Sequence, residues 1–159
     1  MKKELNILIA CVGLWCSGVI AAPMLSGTMI SDVLYRFYSV VCHQFSTRSF
    51  HLYGEPIAVC IRCTSIYIGF LTALIVLRFS DRLRAKNFNS VHTIVIVFLP
   101  MAIDGIFSLL NIHDSSTLSR IATGVLFGSG MAMVLFRTLT EIIHSIIRKR
   151  RYFYGIESR

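Results

Sequence analysis

The stretch from Pro56 to Leu77 reads PIAVCIRCTSIYIGFLTALIVL and contains a single charged residue, Arg62. An apolar run near 20 residues is what a helix needs to cross the ~30 Å hydrocarbon layer of a bilayer. Three more stretches share this character. Leu5 to Leu25 carries no charge, Val91 to Leu110 only Asp104, and Ile121 to Ile143 only Arg137 and Glu141. Unpaired backbone groups cannot face lipid, and the ~10-residue alternation of barrel strands is missing, so the stretches predict helices. The expected fold is all-α, an integral membrane four-helix bundle. It forms one domain over residues 1–159, with spans at 5–25, 56–77, 91–110 and 121–143.

Composition and charge support this reading. Hydrophobic residues make up 55% of the 159 and charged residues 15%; mean hydropathy is +0.68. These values exclude an ordinary soluble domain. The net charge of +8 is distributed by segment. Lys2 and Lys3 precede the first span. Arg78, Arg82, Arg84 and Lys86 lie between the second and third. Arg148, Lys149, Arg150, Arg151 and Arg159 follow the fourth, in a basic tail over 144–159. These segments hold eleven of sixteen basic residues, against Arg36, Arg48 and Arg120 in the other two loops. The positive-inside rule then places both termini and the middle loop in the cytoplasm. The expected partners are the lipid bilayer and anionic lipids at the cytoplasmic face, with a homo-oligomer left open and no nucleic acid.

The N-terminus admits a second reading. Lys2-Lys3, an apolar run and Ile20-Ala21-Ala22 resemble a signal peptide with its cleavage site. The run exceeds the usual 7–15 residues of such a segment, so a retained span is favoured. Cleavage would leave three spans in the same orientation. Leu8 to Cys11 looks like a lipoprotein box but comes too early. Cys11, Trp15 and Cys16 read as packing residues.

The outer loop, 26–55, carries Ser31-Asp32 as a cap, then Val33, Leu34, Phe37, Val40 and Val41 at helical spacing. With Tyr35, Tyr38, Phe45, Phe50 and Tyr53 it predicts an amphipathic interfacial helix ending near Cys42-His43. Gly54-Glu55-Pro56 should turn the chain inward, with Pro56 at the first helical position of span two. In the spans, Ser65, Gly69 and Ala73, and Gly124, Gly128 and Ala132, form small-residue stripes that let helices approach closely. Arg137 and Glu141, four apart, read as a snorkelling pair.

Depth and topology gather a constellation on the outer side. It comprises Cys42, His43, Cys60, Arg62, Cys63, Asp104 and Arg120, with His51, His113 and Asp114 in the loops nearby. Intramembrane charge is costly and usually faces a partner or the bundle interior. Cys42, His43, Cys60 and Cys63 form a Cys₃His set suited to zinc, with Asp104, His51 or water as the alternative fourth ligand. An open position would turn a structural site into one for metal-assisted hydrolysis or ligand binding, with Asp104, Arg62 and Arg120 as its catalytic residues. A thiol–disulfide oxidoreductase using Cys60-Cys63 is the alternative, with Cys42 as resolving partner. In outline this is similar to the disulfide-forming membrane oxidoreductases that hand electrons to quinone, although a second cysteine pair is missing between spans three and four. A small transporter using Asp104 and Arg62, and a purely structural zinc or disulfide staple, complete the alternatives. Arg62 and Asp104 are also expected as a buried ion pair, or Arg62 as a snorkelling side chain.

Cys42-His43-Gln44, Arg48-Ser49-Phe50, Gly54 and Val59 to Gly69 together resemble the signature of a membrane protein family, the domain of unknown function numbered 2085. The likeness continues at Asp104-Gly105, Arg120, Thr123-Gly124 and Gly128, covering roughly residues 30 to 135. Ser65 stands where the family pattern more often reads glycine. The resemblance implies a multi-pass protein of the bacterial or archaeal inner membrane with the same set of polar residues, and it implies no activity.

Overall fold

The computed structural model describes residues 2–81, 83, 91–109 and 116–153. The apolar first stretch is helical over Lys2–Met24 (α1). Gly27, at φ +83°, then reverses the chain, a conformation open to a residue without Cβ. Met29–Ser39 forms α2, capped by Thr28, whose Oγ1 accepts from the Ser31 N–H at 3.3 Å. The cap therefore lies three residues before the expected Ser31-Asp32. Ser31 is buried, and its hydroxyl donates to the Ala22 carbonyl at 2.8 Å, tying α2 to α1.

Part of the apolar surface of α2 is exposed. Val33, Phe37 and Val40 are each more than half exposed, whereas Tyr38 is buried and donates its hydroxyl to the Trp15 carbonyl at 2.7 Å. An exposed apolar face of that kind suits a helix at the membrane interface.

Beyond α2 comes a single 3₁₀ turn, Ser46–Arg48, and a small hairpin of β1 (His51–Leu52) and β2 (Glu55–Pro56). Its turn is Tyr53-Gly54, at φ +55° and +88°, and Leu52 faces Glu55. Paired positive φ values suit a two-residue hairpin turn. The chain thus reverses one residue earlier than expected, and Pro56 closes the hairpin instead of opening a helix. Residues 57–59 are buried and non-helical, and carbonyls outside α3 take the Ile57 and Ala58 N–H groups. Ile57 donates to Phe50 (2.8 Å) and Ala58 to Val19 (3.4 Å). α3 begins only at Ile61 and runs to Phe79, with Cys60 at its N-cap.

Val91–Leu109 forms α4 and Thr117–Phe153 forms α5. The small-residue stripes of α3 and α5 interlock. A Cβ on Gly124 would stand 2.8 Å from the Ser65 Cβ and 2.9 Å from the Arg62 carbonyl oxygen. One on Gly128 would run into the Ile66 carbonyl. Ser129 adds a hydroxyl bond to the Gly69 carbonyl at 3.1 Å. α4 packs on α5 through Phe98 against Phe127, with ring centroids 4.8 Å apart.

The four long helices alternate in direction. At one end Leu5, Leu74, Leu77 and Phe136 share a core, and Arg78 donates to Asn6 at 2.8 Å. At the other, Val19, Tyr38, Cys42 and 57–59 form a second core. Among the described residues three helices are long and apolar enough to cross a membrane, within Lys3–Met24, Ile61–Phe79 and Thr117–Lys149. α4 carries a shorter apolar stretch, Ile94–Phe107. At 37 residues α5 is about 55 Å long, well beyond the ~30 Å hydrocarbon layer. The basic tail therefore continues this helix as far as Phe153.

Candidate metal centre

The second core opens into a cavity of about 270 Å³. Its wall is built from the segment after α2, the start of α3 and residues of α4 and α5. Val41, Cys42, His43, Gln44, Phe45, Arg48, Cys60, Arg62, Cys63, Gly105 and Arg120 line it.

Gln44 shapes the segment after α2. It adopts φ +52°, uncommon for a residue with a Cβ, and its side-chain amide donates to the Tyr35 (2.7 Å) and Ala58 (2.8 Å) carbonyls. Tyr35 reinforces this clasp by donating its hydroxyl to the Pro56 carbonyl. Together these bonds press the loop bearing Cys42 against the start of α3.

The sulfurs of Cys42, Cys60 and Cys63 consequently converge, all within 4.8 Å of one another, and all three are free thiols. Cys42 is buried, 6% exposed, and its sulfur accepts the Cys60 N–H at 3.2 Å. Hydrogen bonds from the Cys60 and then the Cys63 thiol hold Cys42 well below the usual thiol range, opposed by burial and helped by the backbone N–H groups of Cys60 and Gln44. Among the described residues no fourth histidine, cysteine or carboxylate atom joins the three. His43 is on the cavity wall, stacked on Phe45 with centroids 6.0 Å apart.

Arg62 and Asp104 form the expected ion pair, with side chains 22% and 9% exposed. Ser119 donates to the other carboxylate oxygen at 3.1 Å, joining α3, α4 and α5 at one point. Asp104 is thereby committed to Arg62, while Arg62 and Arg120 reach the cavity beside the sulfurs. The Arg62 Nε is buried without a hydrogen-bond partner. His51 is exposed in β1, and His113 and Asp114 lie outside the described residues. Cys11 is exposed on α1, whereas Trp15 packs against Phe37, Tyr38 and Tyr67. Arg137 and Glu141 pair at 3.0 Å.

Gln44, Phe45, Arg48 and Ser119 belong to the site but were not singled out as site residues from sequence. Gln44 and Arg48 stand within the quoted signature, and their position there was the available signal. Nothing in the order of residues marks Ser119.

An all-α integral membrane protein, with three thiols and three arginines gathered at one end of its bundle, is the class that fold and site define. The chain matches the family model described as "Predicted membrane protein (DUF2085)" over residues 42–134, and it belongs to that family. It is 34% identical over 115 residues to an uncharacterised protein of Methanocaldococcus jannaschii, covering 72% of this chain and 74% of the relative. An uncharacterised protein of Methanothermobacter thermautotrophicus is 32% identical over 107 residues, 67% of this chain and 93% of the relative. No solved structure is significantly similar.

Proposed function

We propose that Cys42, Cys60 and Cys63 bind a thiophilic divalent metal, zinc in the first place, at the outer face of a protein that crosses the membrane four times with both termini in the cytoplasm. The convergence of three thiol sulfurs from two segments carries this reading. Thiolates 2.3 Å from a tetrahedral ion lie about 3.8 Å apart, within reach of small side-chain rotations from the observed spacing. A redox pair needs only two sulfurs, and the buried Cys42 is poorly placed to receive an outside dithiol. With three protein ligands, the remaining position belongs to water, to His43 or to a ligand entering the cavity. A metal so held is a Lewis acid that polarises an oxygen bound to it. Arg62 and Arg120 would hold a ligand's negative charge in place, and Asp104 fixes Arg62. The orientation follows from the basic residues at the opposite end of the bundle.

Elemental analysis of detergent-purified protein, paired with a thiol count, tests the proposal. One zinc per chain is expected, lost in Cys60→Ser and Cys63→Ser, and removing it with a chelator should lower the wild-type unfolding midpoint. Metal-free wild type with the stability of Cys60→Ser refutes it. If two of the thiols are then found oxidised, thiol–disulfide exchange at Cys60-Cys63 takes its place.

A further inference from the structure

Cys42 and His43 are neighbours in sequence, yet the fold gives them opposite surroundings. Cys42 is buried with its sulfur against the Cys60 N–H, whereas His43 is exposed at the cavity rim. The imidazole lies nearly parallel to the Phe45 ring, with 6° between the planes, and neither of its nitrogens joins the three sulfurs. Phe45 is held in turn by the Arg48 guanidinium, whose carbon is 5.8 Å from the ring centroid. Aromatic and cation–π contacts of this kind hold a ring in place. The backbone resists re-aiming the imidazole as well, because Gln44 follows at φ +52° with its amide bonded to two carbonyls. Turning His43 onto the sulfurs would break the stack and load the clasp. The sulfurs themselves border open space. Cys60 and Cys63 are partly exposed and line the cavity of about 270 Å³, with Val41, Phe45 and Gly105 also in its wall.

From this we infer that the metal centre is open, with His43 outside its coordination, and that its fourth position takes a small exogenous thiol. The inference rests on the proposed metal and names what completes it. Three thiolates select a thiophilic ion, and such an ion favours sulfur in its remaining position too. The cavity far exceeds the ~30 Å³ share of one water, and at about 270 Å³ it lies just under the roughly 300–1,000 Å³ of ordinary ligand sites. A small molecule therefore fits beside the sulfurs. A thiol entering there binds as the thiolate. Its sulfur replaces water on the ion, and its proton leaves with that water to bulk solvent. The thiol is then held in its nucleophilic form.

Cobalt(II) in place of zinc supplies the test, read by absorption in detergent-purified full-length protein kept reduced without added thiol. The sulfur-to-cobalt charge-transfer band counts thiolates, and 2-mercaptoethanol and acetate are titrated in parallel. Wild type should show a tetrahedral cobalt spectrum whose charge-transfer band grows saturably by about one third with 2-mercaptoethanol, as a fourth thiolate joins three. Acetate should leave that band unchanged. His43→Phe keeps a ring on Phe45 but has no ligating nitrogen, and His43→Ala removes both. Each should bind cobalt with the wild-type spectrum and answer the thiol as wild type does. Cobalt affinity lowered about tenfold or more in both variants makes His43 a ligand and overturns the inference. Cobalt-loaded wild type that ignores 2-mercaptoethanol, or that answers acetate as strongly, overturns it while leaving the metal reading in place. Wild type that takes up no cobalt removes the metal reading and this inference with it.

Discussion

The ion pair between Arg62 and Asp104 gives the sharpest quantitative expectation. Asp104→Asn removes the carboxylate charge but keeps an oxygen for the Ser119 hydroxyl, so the loss is confined to the pair. Breaking a buried pair by removing one partner costs about 3–5 kcal/mol, because the other charge is left without compensation. The Arg62 side chain is 22% exposed and solvent screens part of that penalty, which lowers the expectation to about 2–3 kcal/mol. Arg62→Met should cost at least as much, since it strands a carboxylate only 9% exposed. The double variant leaves neither charge and should be far less harmful than the two losses added. A coupling free energy of about 2–3 kcal/mol is therefore expected from a double-mutant cycle, measured by unfolding in mixed micelles. It should change little with salt, because the pair is mostly out of water. A coupling below about 0.5 kcal/mol, the limit of ordinary additivity, would refute the buried-pair argument.

Three further outcomes are expected. Gly128→Val should destabilise the α3–α5 pair by about 1–3 kcal/mol or prevent its assembly, because its Cβ meets the Ile66 carbonyl, while Gly13→Ala, with open space around it, should leave the thermal midpoint nearly unchanged. Gln44→Ala loses two hydrogen bonds, about 2 kcal/mol in all, and should raise hydrogen exchange near Ala58 and expose Cys42 to alkylation; unchanged Cys42 reactivity would count against the clasp. A reporter active only outside the cytoplasm should work when fused after Thr47 and be silent after Lys86 or Arg159, and the reverse pattern would invert the proposed topology.

Much of the fold was legible because its causes are summed along the chain. Leu5 to Leu25 and Pro56 to Leu77 announce helices by length and lack of charge alone, and Ser65, Gly69, Gly124 and Gly128 mark where two of them meet. The start of α3 was misplaced by five residues for a reason that no local pattern contains. Pro56 favours a first helical turn, yet the N–H groups of Ile57 and Ala58 are claimed by Phe50 and Val19, each supplied by a different part of the fold. The α2 cap moved to Thr28 on similar grounds, since burial against α1 takes the Ser31 hydroxyl for Ala22.

The site divides in the same way. Cys60, Arg62 and Cys63 are neighbours in sequence, and their association is visible there. Cys42 lies 18 residues before Cys60, and Asp104 is 42 residues after Arg62. Residue types and hydropathy, which depend only on chain order, determined that this is an all-α membrane protein with its costly polar residues at the end opposite the basic termini. Tertiary structure alone decided that three sulfurs converge, that Asp104 is spent on Arg62, and that Arg48 joins Arg62 and Arg120 around one cavity. Those outcomes rest on how Gln44 clasps a loop against α3 and how closely α3 meets α5, and both are distances between segments that chain order does not encode.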